Sequence, residues 1–211
     1  MDAIVDNAPS CISEETALRE RFGAVSMLAE KKVVKTLDHF CRQFIALSPF
    51  LVLATNDASG RADASPRGDA PGFVEVLDDK TLLVPDRRGN NRLDSFSNIL
   101  QNPHVGLIFM VPGINETLRI NGRGRIVDEE ALLGPLSVQG KQPLAGLLVT
   151  MEEAFFHCGK ALIRSKLWNP ESRVERGVFP TLGHVIAEQT KVVEVSEADR
   201  LVEEGYQQRL Y

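Results

Sequence analysis

The chain has 211 residues, which is enough to bury a sizeable core without disulfides or a structural metal. Apolar residues make up 43% of the sequence and charged residues 25%, proportions that are typical of globular proteins and exclude disorder over most of the chain. The formal net charge of −5 argues against general binding to nucleic acids or anionic membranes, but it leaves room for a local basic pocket.

Further features predict a soluble, reduced, cytoplasmic protein. No apolar run approaches the roughly 20 residues that are needed to span a bilayer. The acidic start MDAIVDNAPS lacks the apolar stretch of a signal peptide. The 3 cysteines are widely spaced and form no Cys-x-x-Cys pair, so neither a disulfide framework nor a metal site is expected.

Residues 1–47 form the first predicted segment, which is helical from about residue 13 onward. Ser13 is a candidate N-cap, and the two glutamates after it suit the positive end of a helix dipole. Apolar residues with helical spacing then predict an amphipathic stripe: Val34, Leu37, Cys41, Phe44 and Ile45. Pro49 is expected to end this helix.

The pattern changes to short strands over residues 48–168, the second predicted segment. Apolar or alternating runs recur about every 8 to 12 residues, with Gly, Pro or Asp between them. They lie at 50–56, 61–66, 73–77, 80–84, 104–110, 117–127 and near 147–151. One short helix at 91–100 interrupts this series. Such closely spaced strands predict a small antiparallel barrel.

The third predicted segment, residues 169–211, is a helical extension. A helix over Phe155–Leu167 leads into it, and helices at about 181–190 and after Ser196 complete it. We expect all three segments to form one structural domain. Trp168, the sole tryptophan, is either a core or interface anchor or a residue that stacks on an aromatic cofactor.

The segment PDRRGNNR, residues 85–92, is the most informative for function. It carries three arginines between a strand and a short helix: Arg87, Arg88 and Arg92. Guanidinium groups, asparagine amides and the free N–H groups of a helix start together suit a phosphate. The same residues could instead form a solvated basic loop, and the pattern leaves both interpretations open.

Two other polar segments are candidates for the same ligand. In SPRGD, Arg67 ends a strand at a turn, where it could bind an anion or form a weak surface pair with Asp69. In ETLRING, Thr117, Arg119 and Asn121 share one strand face. That face is directed either to a ligand or to solvent.

These pieces occur in a recognisable order: SPFLVLAT, SPRGD, LLVPDRRGNNRLDSFSNILQNPHVGLIFMVP and ETLRINGRGRI. In that order they resemble the pyridoxamine 5′-phosphate oxidase-like superfamily of flavin mononucleotide (FMN)-binding split barrels, and most of all a bacterial branch of FMN-dependent enzymes. The resemblance covers residues 45–168. It implies a mainly β fold with flanking helices, built on a six-stranded antiparallel Greek-key split barrel. It also implies a homodimer with FMN at the subunit interface.

The resemblance assigns cofactor-binding roles residue by residue: Ser65, Pro66, Arg67, Pro85, Asp86, Arg88, Asn91, Arg92, Thr117, Arg119 and Trp168. Among these, Arg67, Arg88 and Arg92 are expected to hold the FMN phosphate and ribityl chain together with Asn91. Ser65 and Pro66 are expected to line the same strand. Pro85 and Asp86 would meet the flavin ring through backbone groups. Thr117 and Arg119 would approach from the partner subunit.

The resemblance does not carry over the activity of true pyridoxamine-phosphate oxidases. Their C-terminal Arg and His motif grips the substrate phosphate, and it has no counterpart in SEADRLVEEGYQQRLY. A lysine that binds the FMN phosphate in those enzymes is also missing, since Asp69 and Ala70 stand near its place.

The leading functional hypothesis is therefore an FMN-dependent oxidoreductase that acts on an unidentified small molecule, with no catalytic residue assigned. One alternative is a non-catalytic flavin-binding protein with a stress, sensor or storage role, because a fold alone does not fix function and no nicotinamide fingerprint is visible. Another alternative is a split barrel that binds deazaflavin or haem. For haem, the candidate axial ligands are His104 and His157.

Overall fold

The computed structural model describes residues 11–211, and the chain divides into two compact units between Val33 and Val34. The described part of the first unit contains helices α1 (Glu15–Phe22) and α2 (Met27–Lys31), neither of which has a buried residue. The prediction that Ser13 is the N-cap is wrong, because α1 begins after Glu14. The helical pattern also breaks at Gly23, whose φ of 76° ends α1 in a conformation that glycine tolerates best.

The second unit begins with Val34 in an isolated β-bridge to Ala154, so the start of the predicted amphipathic stripe is not helical. Helix α3 (His39–Leu47) starts at Asp38, whose carboxylate accepts a hydrogen bond from the Cys41 amide at 2.9 Å. It buries the predicted apolar residues Cys41, Phe44 and Ile45 and ends before Pro49, as expected.

The strands of this unit form one antiparallel sheet. They are β1 (Phe50–Asn56), β2 (Ala62–Gly68), β3 (Glu75–Val76), β4 (Thr81–Pro85), β5 (His104–Met110), β6 (Thr117–Val127) and β7 (Gly146–His157). Their order across the sheet is β2-β1-β5-β6-β7-β4-β3. The mainly β fold with flanking helices is confirmed.

The expected six-stranded closed arrangement is wrong, because the sheet has seven strands and is open between β2 and β3. The additional strand is the two-residue β3, which pairs only with β4 at the sheet edge. Residues 155–157 were expected to be helical, but they extend β7. The reason is pairing with β6, in which every residue from Thr117 to Asn121 has a partner on β7. A bulge next to Gly122 separates this stretch from the rest of the ladder. A Cβ at Gly122 would overlap the Thr150 carbonyl, so the bulge requires a glycine.

The core lies on one face of the sheet, which we call the inner face. Its largest fully buried side chains include Leu51, Leu53, Leu107, Phe109 and Leu118. Helix α4 (Asp94–Gln101) packs against this face and buries Ile99. The opposite surface of β1, β5, β6 and β7 is the outer face.

The remaining helices follow β6 and β7: α5 (Glu130–Leu133), α6 (Lys160–Ser165), α7 (Leu182–Thr190) and α8 (Val195–Gln208). Helix α7 agrees with the predicted helix at 181–190. Helix α8 begins at Val195, with Glu194 as its N-cap, and therefore slightly before the start expected after Ser196. No helix among residues 11–211 is long and apolar enough to cross a membrane.

Candidate anion-binding site

The predicted phosphate segment lies between β4 and α4, over residues Pro85–Leu93, and we call it the arginine loop. Asn91 and Leu93 have φ angles of 59° and 57°, in the left-handed region, so the backbone turns sharply just before α4. Leu93 is the N-cap of α4 and provides no side-chain cap. The first amides of α4 therefore have no side-chain acceptor at a helix end that favours anions.

Strand β2 faces this loop with a row of polar side chains. Strand periodicity places Asp63, Ser65 and Arg67 on one side, and Asp69 continues the row just after the strand. Arg67 lies opposite Leu51 in the register with β1, so the row is on the inner side of the sheet. A ligand between β2 and the loop would meet these groups.

Side chains connect β2 to the loop and to α4 at three points. Arg67 Nη1 donates to Asp86 Oδ1 at 2.9 Å. Arg87 Nε donates to Asp69 Oδ2 at 2.5 Å, and Ser95 Oγ donates to Asp63 Oδ2 at 3.0 Å. Strands β2 and β4 are not paired by backbone hydrogen bonds, so the sheet is open between them. The three side-chain contacts bridge this opening.

One polar atom in this opening has no partner among the described residues. Arg67 Nε is buried and makes no hydrogen bond, although the Nη1 atom of the same guanidinium binds Asp86. Buried donors in folded proteins are almost always satisfied. The orphaned N–H therefore points to an acceptor supplied by a ligand.

The ion pairs of the site differ in how easily they can exchange partners. Burial raises the pKa of Asp86 above its ordinary value, and the Arg67 guanidinium offsets only part of that effect. Arg92 pairs with Asp94 at 2.8 Å in an exposed position, where ion pairs contribute little. Arg88 is exposed and has no ion pair with any described residue. Arg88 and Arg92 are therefore available to an incoming anion.

Helix α4 is fixed to the sheet by a buried polar contact. Asn98 Nδ2 donates to Thr55 Oγ1 at 3.0 Å, and both residues are almost inaccessible to solvent. The contact sets the position of α4 relative to β1. It therefore also fixes the end of the arginine loop.

Most of the predicted site residues lie on β2 or in the arginine loop, and Arg67 and Asp86 are in direct contact. Those on the inner side of β2 or in the loop are Ser65, Arg67, Pro85, Asp86, Arg88, Asn91 and Arg92. The Asp86 amide already donates to the Ala145 carbonyl at 3.0 Å, so it is not available to a flavin ring without rearrangement. Pro66 lies on the opposite side of β2 and is exposed.

Thr117, Arg119 and Trp168 are not brought to this opening. Arg119 is on the outer face of β6, three strands away from β2, which corresponds to about 14 Å at the usual strand spacing. Its guanidinium lies 5.0 Å from the centre of the Phe155 ring, and its buried Nε has no partner among the described residues. Trp168 Nε1 donates to the Ile114 carbonyl at 2.8 Å, in the turn between β5 and β6.

Two contacts of the site were missed or misassigned by sequence reasoning. The possible surface pair between Arg67 and Asp69 is wrong, because each binds a residue of the arginine loop instead. Tyr211 was also missed, although its hydroxyl donates to Asp69 Oδ1 at 2.8 Å. No local sequence pattern signals the contacts of Arg67, Asp69 and Tyr211, because the partners are 18 to 142 residues apart.

Comparison with known families decides the assignment of the fold. The family model of pyridoxamine 5′-phosphate oxidase matches residues 37–158, more than half of the chain. The chain belongs to this family. The matched region contains α3, α4 and every strand of the sheet, so the arginine loop and the polar row of β2 are parts of the pyridoxamine 5′-phosphate oxidase domain.

Solved structures similar to this chain include proteins of different kinds. HupZ from Group A Streptococcus is 20% identical, with 56% of this chain and 92% of that chain covered and a TM-score of 0.47. An FMN-binding protein from Syntrophomonas wolfei is 14% identical, with coverages of 56% and 83% and a TM-score of 0.45. HutZ, the haem storage protein from Vibrio cholerae, is 16% identical, with coverages of 56% and 93% and a TM-score of 0.37. No curated protein sequence matches this chain significantly.

Proposed function

We propose that the protein binds FMN between β2 and the arginine loop and acts as a flavin-dependent oxidoreductase on a small molecule. The observation that carries this proposal is the buried, unpartnered Nε of Arg67, on the strand that contacts the arginine loop. A phosphate oxygen is an acceptor that such a guanidinium binds strongly. The Ser65 hydroxyl lies on the same side of β2 and provides another donor.

The charges of the site suit the phosphate group of FMN. A phosphate monoester carries about −1.5 to −2 charges near neutral pH. Arg88 has no competing carboxylate among the described residues, and the exposed Arg92–Asp94 pair exchanges at little cost. Because burial disfavours the charged form of Asp86, the phosphate can displace this carboxylate from Arg67.

The chain itself supplies binding and orientation. Bound FMN would supply the hydride or single-electron transfer. The arginines hold the phosphate at one end of the site. The Pro85 carbonyl lies at the end of β4, where it can orient a planar ring.

A homodimer is part of this proposal, because Arg67 and Arg119 cannot meet within one chain. They lie on opposite faces of the sheet, as the register of Arg67 with Leu51 and of Arg119 with Ile108 shows. A second copy could place its Arg119 at the opening of the first. The unsatisfied Nε of Arg119 would then also gain an acceptor.

The composition of the outer face supports a second copy as its occupant. One row of neighbouring side chains crosses five strands: Pro66, Val52, Ile108, Arg119 and Phe155. Ile108 and Phe50 are exposed by 37% and 36%, which is unusual for the middle of a sheet. A row of apolar side chains around a central arginine is typical of protein interfaces.

The haem alternative has less support than FMN. Both ring nitrogens of His104 lie within hydrogen-bond distance of a neighbour, with Nδ1 2.8 Å from Asn102 Oδ1 and Nε2 3.1 Å from Arg123 Nη1. An axial ligand needs a free imidazole nitrogen. His104 would have to lose one of these contacts to bind iron.

A subunit-mixing experiment tests the site and the dimer together. Arg67→Ala and Arg119→Ala chains, each of which we expect to bind FMN only weakly as a homodimer, are co-expressed with different tags and the mixed dimer is isolated. If each site uses Arg67 of one chain and Arg119 of the other, the mixed dimer has one intact site and binds one FMN. Complete loss of binding in the mixed dimer contradicts a shared site.

The oxidoreductase activity needs its own measurement. Bleaching of bound FMN by NADH or NADPH under anaerobic conditions, followed by reoxidation with an added acceptor, is the expected result. A flavin that binds stoichiometrically but is not reduced by either donor favours the non-catalytic alternative.

A further inference from the structure

Tyr211 contacts the arginine loop although it is 142 residues away from Asp69 in sequence. Its hydroxyl donates to Asp69 Oδ1 at 2.8 Å, and its ring centre is 5.9 Å from the Arg87 guanidinium carbon. Lys141 Nζ donates to the main-chain oxygen of Tyr211 at 2.8 Å. The residue is therefore held from both sides and is half-buried.

The carboxylate that Tyr211 contacts is a central support of the loop. The Asp69 side chain is only 2% exposed and accepts hydrogen bonds from the Ala70 amide, Arg87 Nε and the Tyr211 hydroxyl. Arg87 also donates through Nη1 to the Leu136 carbonyl at 2.8 Å. Arg87 thus fixes the position of the loop, whereas the adjacent Arg88 projects into solvent.

We infer that Tyr211 is a positioning residue for the anion site, which it holds in shape through Asp69 and Arg87. This inference rests on the proposed function for the identity of the anion. The hydroxyl completes the hydrogen bonding of a buried carboxylate, and a buried carboxylate that lacks a donor is costly. Without it, Asp69 holds Arg87 less firmly and the loop that presents Arg88 samples other conformations. Ligand binding must then restore the order, which weakens affinity.

The titration of the same groups agrees with this geometry. The hydrogen bond to Asp69 raises the pKa of the Tyr211 phenol above its ordinary value. Burial raises the pKa of Asp69, but the donors from Ala70, Tyr211 and Arg87 outweigh it, and the net effect lowers that pKa.

The first test compares Tyr211→Phe with Tyr206→Phe, because these are the two tyrosines of the chain and Tyr206 is 58% exposed on α8. Both variants keep the aromatic ring. FMN and riboflavin, which lacks the phosphate, are titrated into each. We expect Tyr211→Phe to raise the Kd for FMN roughly fivefold to tenfold and to leave riboflavin binding unchanged, less than loss of a direct hydrogen bond to the anion because Tyr211 acts through Asp69 and Arg87. An unchanged Kd for FMN, or an equal loss for riboflavin, overturns the positioning role.

The second test needs no flavin. Trypsin cleaves after Arg88, and cleavage of a native loop depends on how often the loop opens. We expect the fragment that begins at Gly89 to form several times faster in Tyr211→Phe than in the wild type or in Tyr206→Phe. If the wild type binds no FMN but this difference is found, the proposed function fails and the role of Tyr211 stands. Equal cleavage rates in all three proteins overturn the role of Tyr211.

Discussion

Arg67 and Asp86 join two strands that the sheet leaves unpaired. Their side chains meet at 2.9 Å, with Arg67 on β2 at one end of the strand order and Asp86 directly after β4 near the other end. An ion pair, unlike a ladder of backbone hydrogen bonds, can open and exchange one partner for a ligand. The opening between β2 and β4 is therefore suited to binding an anion.

Substitution of Arg67 tests the binding role of its guanidinium. Arg67→Ala removes a charge and the orphaned N–H, and we expect the Kd for FMN to rise about 100-fold, since hydrogen bonds to charged groups contribute about 1.5–3 kcal/mol each. Arg67→Lys keeps the charge but not the planar set of donors, and its affinity for FMN should be about tenfold lower than that of the wild type. Fluorescence titration of FMN measures both. Arg164→Ala, on the exposed surface of α6, is the control, and a loss there as large as in Arg67→Ala contradicts the assignment.

Asp86→Asn should have opposite effects on stability and on binding. The neutral amide releases the Arg67 guanidinium, so we expect FMN to bind a few times more tightly. The ligand-free protein should lose about 1–3 kcal/mol of unfolding free energy, because a partly buried guanidinium is left without its counter-ion. Urea unfolding with and without FMN separates the two effects. Weaker FMN binding in this variant would show that the carboxylate itself contacts the cofactor.

Thr55→Val should disturb the site from a distance. The substitution keeps the side-chain shape but removes the acceptor for Asn98, which leaves a buried amide unsatisfied at a cost of about 1–3 kcal/mol. Because Asn98 fixes α4, FMN affinity should fall as well. Thr150→Val, at an exposed position of β7, is the matched control. Equal thermal stability of the two variants would contradict the role of this contact.

The contact between Tyr211 and Asp69 should stabilise the folded state only within a defined pH window. A carboxyl with a lowered folded pKa contributes stability above its ordinary value of 3.8 and loses it as the pH falls through the folded pKa. A phenol with a raised folded pKa contributes stability below its ordinary value of 10.0 and loses it as the pH rises through the folded pKa. The charged groups that face this contact are Arg87 and Lys141. The difference in unfolding free energy between wild type and Tyr211→Phe should therefore be constant between pH 5 and about 9. It should decline outside those limits, and a difference that is greatest at pH 3 would be inconsistent with the contact.

A charge on the outer face should separate the subunits. We expect Ile108→Glu to give a monomer in sedimentation velocity and to reduce FMN binding, because burial of an unpaired carboxylate at an interface is unfavourable. Leu144→Glu is the control, since Leu144 is 93% exposed and lies outside this face. A wild-type protein that is monomeric at micromolar concentration would refute the dimer directly.

The sequence predicted those features that depend on neighbouring residues. Strands β5 and β6 have the expected bounds because β5 is a short apolar run and β6 alternates apolar and polar residues, and clear turns bound both. Phe155 and Phe156 were assigned to a helix because a short apolar cluster fits either period, and pairing with β6 decided in favour of a strand. The ion pairs could not be predicted, since Arg67 and Asp69 find their partners in a loop that only the tertiary fold brings near.

Titration of the purified, flavin-free protein with FMN tests the central claim most directly. The account predicts saturation at one FMN per chain, with a shifted flavin spectrum and quenched fluorescence, and a much larger Kd for Arg92→Ala because part of the phosphate charge is left without a counter-ion. A protein that leaves the FMN spectrum and fluorescence unchanged throughout the titration would contradict it.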